Sequence, residues 1–142
     1  MAELQVLSAI ELIRRRPTMF FEGGVPTANE LLSLVMKDLG EERGFSASVY
    51  RAGQFSMVCA DVDWMKSNNA SFDQLFDRFV LPNSNRPNTH RAEVLLVAVC
   101  QGMLTVGQGG AFSRDLQMTE VPEEFARAAK IATRALIWKF AE

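Results

Sequence analysis

The sequence predicts a single α/β domain, on three observations. Apolar residues recur at helical spacing behind recognisable caps. Two pairs of short alternating segments meet at glycine turns. Of the 142 residues, 48% are hydrophobic, enough for one core. A chain of this length buries roughly 70% of its unfolded surface, so that core is expected to form without disulfide or metal staples.

The elements follow in order. Leu4 to Arg16 carries Val6, Leu7, Ala9, Ile10, Leu12 and Ile13 at amphipathic helical spacing, and Pro17 stops it. Thr18 to Pro26, with Gly23 and Gly24, reads as a loop. Thr27 with Glu30 forms a capping box. Ala28, Leu31, Leu32, Val35 and Leu39 continue that second helix until Gly40 and Gly44 close it. Phe45, Ala47 and Val49 alternate with Ser46, Ser48 and Tyr50, and Phe55, Met57 and Cys59 alternate with Ser56, Val58 and Ala60. These are two strands of a hairpin turned at Gly53. Ser71 with Gln74 opens a short helix through Phe72, Leu75, Phe76 and Phe79, and Pro82 to Asn88 is a loop by composition.

Thr89 to Gln101 fits two structures. Its valine and leucine content suits a buried strand, whereas its length, its caps at Asn88 and Thr89 and its stop at Gly102 suit a helix, which is preferred. Leu104 to Val106 and Phe112 to Met118 form a second hairpin through Gln108, Gly109 and Gly110. Pro122, followed by Glu123 and Glu124, opens a last helix expected to run to about Phe140.

Composition excludes several function classes. A net charge of −2 argues against an electrostatic nucleic-acid binder. Cys59 and Cys100 have no CxxC spacing, so neither zinc nor a disulfide framework is expected, and a reducing, cytoplasmic setting is. The basic residues of the first helix follow its apolar stretch, the reverse of a secretory leader, and the longest apolar run, Val94 to Cys100, is too short to span a bilayer.

The segment Ile13-Arg-Arg-Arg-Pro-Thr-Met-Phe20 resembles the opening of the ATPase domain of gyrase B and topoisomerase IV, the bacterial GHKL (Bergerat) type, where a basic run precedes Pro-Gly-Met-Tyr. Thr18 stands for the glycine and Phe20 for the tyrosine. Leu31 to Leu39 looks like the family helix that carries the catalytic glutamate and the magnesium-holding asparagine. His90 to Gln117 is similar to the glycine-rich motif, helix and hairpin that follow. The likeness covers most of the chain by order of elements, with residue-level identity in the Arg-Arg-Pro segment. It implies an α+β two-layer sandwich, a mixed sheet covered on one face by helices.

The departures from that pattern bear on chemistry. Lys37 falls where the general-base glutamate belongs and Glu41 where the asparagine belongs, and a protonated lysine cannot take a proton from water. The adenine-reading aspartate of Asp-x-Gly-x-Gly corresponds to Asp61 or Asp63. The glycine places are then filled by Asp63 and Met65, or by Met65 and Ser67, whose side chains would crowd an adenine. The phosphate-cradling Gly-x-x-Gly reads His90-Arg-Ala-Glu93, with no bare backbone for a phosphate. ATP hydrolysis is not expected. The family dimerises through an arm ahead of the first helix; this chain begins almost at that helix, so arm exchange is not expected either.

The remaining candidates each admit a structural role and a functional one. Arg14, Arg15 and Arg16 form the one basic run, a solvated helix end or a partner contact. Arg127, Lys130 and Arg134 would share a face of the last helix, with Glu123 pairing Arg127. His90 and Cys100 sit about 80° apart and nearly three turns distant on one helix, which does not make a dyad. Cys59 and Cys100 read as inert packing. Asp61 and Asp63 read as a solvated turn or as nucleotide contacts, and no further metal ligands cluster near them. Trp64 and Met65, and Trp138 at the end of the last helix, read as core edge or as anchors for a partner. The expectation is a non-catalytic protein without cofactor that binds another protein, through Arg14, Arg15, Arg16, Trp64 and Met65. The alternative is a nucleotide sensor that keeps Asp61 or Asp63 and lacks hydrolysis.

Overall fold

The computed structural model describes residues 9–21, 23–39, 46–65 and 92–141. Helix α1 is Ala9–Arg15 and ends before a 3-10 turn at Pro17–Met19. Helix α2 is Ala28–Leu39, and the Thr27 hydroxyl accepts the Glu30 amide at 3.2 Å, the first half of the expected box. Strands β1 (Ala47–Ala52) and β2 (Phe55–Ala60) form the expected hairpin, with Gly53 at a φ of 59°, where a side chain would be strained. Helix α3 is Ala92–Val99, which decides the ambiguous segment in favour of helix over its described part. Strands β3 (Gly102–Gly107) and β4 (Phe112–Arg114) make the second hairpin, with β4 shorter than the alternation suggested. Helix α4 is Glu123–Ile131 and strand β5 is Arg134–Lys139. The expected helix through Phe72 and Phe79 and the loop Pro82 to Asn88 lie outside the described residues.

Three expectations are corrected. The last helix stops at Ile131, and Arg134–Lys139 is the central strand, hydrogen-bonded to both neighbours in the order β1-β2-β5-β3-β4. Every pairing among the described strands is antiparallel, so the sheet is not mixed. Helices cover both faces, not one. Val58, Ala60, Met103, Leu136 and Trp138 pack under α1, α2 and α3, while Met57, Cys59, Leu104, Ala135 and Ile137 pack under α4. The second and third expectations came from the resemblance, whereas the first has its own physical cause. A strand buried on both faces loses its alternation, and Ala135 to Trp138 is a continuous apolar run that periodicity cannot separate from a buried helix.

The two cores are unequal. Residues 92–98 of α3 are all buried, because α3 lies between the sheet and the pair α1 and α2. A helix enclosed on all sides has no polar face to display, which accounts for its apolar sequence. On the other face α4 buries Phe125 and Ala129 and leaves Ile131 89% exposed. No described helix is long and apolar enough to cross a membrane.

Candidate functional site

Of the residues singled out by the sequence, Asp61, Asp63, Trp64, Met65 and Arg134 lie at one end of the sheet, where β2 and β3 finish and β5 begins. Asp63 follows β2 by three residues and Arg134 opens β5. The Arg134 guanidinium donates from Nε to Asp63 Oδ1 at 2.9 Å and from Nη2 to Oδ2 at 2.7 Å, a bidentate fork. Its Nη1 donates to the Gly110 carbonyl at 2.9 Å, with a longer 3.4 Å contact to Thr105 Oγ1. The Thr105 hydroxyl donates to the Ala135 carbonyl at 2.7 Å, which orients its oxygen toward the arginine. The Arg134 side chain is wholly buried and that of Asp63 is 16% exposed.

The well that holds Arg134 is built into the strands. Gly107 faces Arg134 across the β3–β5 ladder, and a Cβ there would lie 2.4 Å from the Thr133 carbonyl oxygen and 2.9 Å from Arg134 Cζ. Only glycine leaves room for the guanidinium. A buried arginine retains its charge, so burial requires the carboxylate and the carbonyl that meet it. Paired planar groups of this kind fix orientation as well as energy.

This placement removes Arg134 from the expected basic face of the last helix. Arg127 and Lys130 remain on α4, and Arg127 pairs with Glu123 at 2.7 Å on the exposed surface, a contact worth about 0.3–0.5 kcal/mol. Trp64 and Met65 follow Asp63 into the core, at 1% and 0% exposure, with the Met65 sulfur 3.5 Å from Thr105 Oγ1. The partner-anchor reading of these two is therefore corrected: neither offers a surface. Trp138 is likewise a buried strand residue.

Asp61 is exposed and accepts the Ser46 amide at 2.7 Å, closing the base of the first hairpin. The basic run divides. Arg14 donates from Nε to the Ala98 carbonyl at 2.8 Å, so it caps the C-terminal end of α3, where carbonyls lack helical partners and a cation suits the dipole. Arg15 and Arg16 are exposed. Lys37 is exposed in the last turn of α2. His90 and Glu41 lie outside the described residues.

Burial pushes the Cys59 thiol up to about 11 and the half-buried Cys100 thiol up to about 12. At neutral pH both are held as thiols, which is the reverse of an activated nucleophile. Among the described residues no group of three or more histidine, cysteine, aspartate or glutamate side chains is placed to hold a metal ion. The arrangement at the sheet end is thus a structural ion pair with its carboxylate committed.

Comparison with family models, with curated proteins and with solved structures returned no match.

Sequence reasoning missed Thr105 and Gly107, set Arg134 on a helix face instead of a strand, and read Gly110 only as part of a turn. The signal for them was weak: a charged residue immediately before a fully apolar run, and a glycine at the end of a strand rather than in its turn.

Proposed function

We propose that this chain is a non-catalytic binding domain, built on a scaffold akin to the gyrase-type ATPases, that acts by holding another protein. One observation carries the reading. Asp63, one of the two aspartates that the resemblance could assign to adenine, has both carboxylate oxygens engaged by Arg134 inside the fold; the other, Asp61, accepts the Ser46 amide. A nucleotide base would have to displace a buried cation from its counter-ion, and removing one partner of such a pair costs about 3–5 kcal/mol. Met65, at a position the family pattern reserves for glycine under either alignment, fills the adjoining space with a buried side chain. Lys37 stands exposed where a general base would be needed. Among the described residues, the exposed Arg15 and Arg16, Ile131 and the outer strand β1 are on offer to a partner.

The test has two arms. In a thermal melt with ATP and with ADP, with and without magnesium, no stabilisation is expected; a ligand at about 100 times its Kd would add about 2.7 kcal/mol. In the second arm, a partner captured from host lysate and then purified is titrated into the chain, and saturable one-to-one binding is expected. A nucleotide-dependent shift accompanied by phosphate release would contradict the reading outright. A shift without release would favour a sensor that reads nucleotide through Asp61.

A further inference from the structure

The two edges of the sheet differ. β4, at one edge, is three residues long and is followed at once by Asp115 in the left-handed region, so it gives little length for pairing. β1, at the other edge, is six residues long and keeps an unbroken register with β2 from Ala47↔Ala60 to Ala52↔Phe55. Exposed edges are normally blunted by shortness, proline, a bulge or an outward charge. β1 has no proline and no bulge, and its one charge is drawn aside: Arg51 leans over α2 and donates to Asn29 Oδ1 at 3.0 Å.

The direction of its backbone groups follows from the ladder. Asp61 donates its amide to the Ser46 carbonyl at 3.1 Å, so Ser46 belongs to the set bonded inward to the β2 side. Bonding alternates along an antiparallel pair, so Ser48, Tyr50 and Ala52 also bond inward. The amides and carbonyls of Ala47, Val49 and Arg51 point outward, and no described strand meets them. Val49 is 44% exposed.

A second feature lies beside this edge, on the α4 side of the sheet. A cavity of about 190 Å³ opens there, lined by Ser48, Tyr50, Cys59, Ala128 and Ile131 among others. Ile131, 89% exposed, forms its rim. A strand added to β1 places alternate side chains on this side, over the cavity.

We propose that β1 receives an extended strand from a protein partner, bonded to Ala47, Val49 and Arg51, with an apolar side chain of that strand seated in the cavity beside Ile131. Strand addition divides labour in this way, the main chain supplying affinity and the pocket selecting the side chain. A second copy of this chain is a poorer occupant. Self-pairing of β1 would bring Ser48 and Tyr50 to the cavity side; serine is too short to fill it, and Tyr50 is already held against Phe125 with ring centroids 5.9 Å apart. The proposal rests on the protein-binding reading above and gives it a site and a mode.

The test uses the full chain as bait for a phage-displayed library of random linear peptides. The most enriched sequence is synthesised, and its affinity for the chain and its variants is measured by fluorescence anisotropy. Enriched peptides are expected to alternate, with an apolar residue at every second place. Val49→Pro removes an outward amide while sparing the inward ladder, and should weaken binding by about tenfold or more, whereas Val49→Thr should stay within about twofold. Ile131→Asp, which leaves the strand untouched, should also weaken binding and serves where Val49→Pro fails to fold. In the complex, hydrogen exchange at the amides of Ala47, Val49 and Arg51 should slow.

The proposal is overturned if no alternating peptide is enriched, if Val49→Pro and Ile131→Asp bind normally, or if those three amides are already protected in the free chain. Self-association abolished by Val49→Pro overturns it in favour of a second copy. Peptide bound with protection elsewhere leaves the protein-binding reading standing and fells strand addition alone.

Discussion

Replacing Asp63 with alanine takes away the carboxylate that faces a wholly buried Arg134. The guanidinium cannot shed its proton, so it must stay charged in the core or drag water and backbone with it. Removing one partner of a buried pair typically costs about 3–5 kcal/mol. For a chain of this size each kcal/mol lowers Tm by roughly 2–4 °C, so Asp63→Ala should melt roughly 6–20 °C below the native chain. The reverse substitution should be milder. Arg134→Met fills most of the same volume, Asp63 is 16% exposed and can be hydrated, and Gly110 is exposed, so its carbonyl can regain water. A cost of about 1–3 kcal/mol is expected for it. The double variant should recover part of the Asp63→Ala loss, with a coupling of about 0.5–3 kcal/mol in a double-mutant cycle. Urea denaturation followed by far-ultraviolet circular dichroism reads all four proteins. An Asp63→Ala chain within about 0.5 kcal/mol of the native one, or an Arg134→Met chain less stable than Asp63→Ala, would refute the reasoning, since either result denies that the arginine is the more deeply committed partner.

Further outcomes follow from the same geometry. Gly107→Ala places a Cβ against the Thr133 carbonyl and the Arg134 guanidinium, and should lower stability by about 1–3 kcal/mol in the same urea assay; an Arg134→Met background should relieve only the guanidinium part of that cost, since the Thr133 carbonyl stays in place. Arg14→Ala should cost about 1 kcal/mol by uncapping α3, seen as faster hydrogen exchange in its last turn. Cys59 and Cys100 hold their protons to about 11 and about 12 when folded, whereas unfolded thiols ionise near ~8.5. Between pH 9 and 11 the unfolded chain therefore binds fewer protons, and stability should fall as pH rises through this window. Replacing both cysteines with alanine should flatten that slope in denaturation curves taken across the range. Trp138→Ala should cost about 3–5 kcal/mol as a central strand cavity, whereas a surface aromatic would cost almost nothing.

The fold was legible where local chemistry speaks. Thr27 announced α2, Gly53 announced the first hairpin, and the alternation of Phe55 to Ala60 placed β2 to the residue. The sequence was silent where neighbours decide. Ala135 to Trp138 lies between β2 and β3 with helices on both sides, so nothing in its apolar run distinguishes strand from helix. A sign was present nonetheless: the amphipathic spacing of Phe125 and Ala129 lapses at Ala132 and Thr133, and a new pattern starts. The candidate site was half legible for the same reason. Asp61 and Asp63 stood out as adjacent carboxylates, but their different fates depend on Arg134, 71 residues away from Asp63 and assigned to the wrong element. Trp64 and Met65 read as core edge ahead of partner anchors, and packing in the larger core encloses both.

The central claim is that Asp63 is unavailable to any ligand because Arg134 holds it. Nitrogen-15 correlation spectra of the full chain, recorded during a titration with magnesium ATP, follow the Arg134 Nε–H and the amides of Asp63, Thr105 and Gly110 directly. These signals should keep their positions through the titration, with the Nε–H slow to exchange. A saturable displacement of the Arg134 Nε–H together with the Asp63 amide would mean that nucleotide opens the pair, and would contradict it.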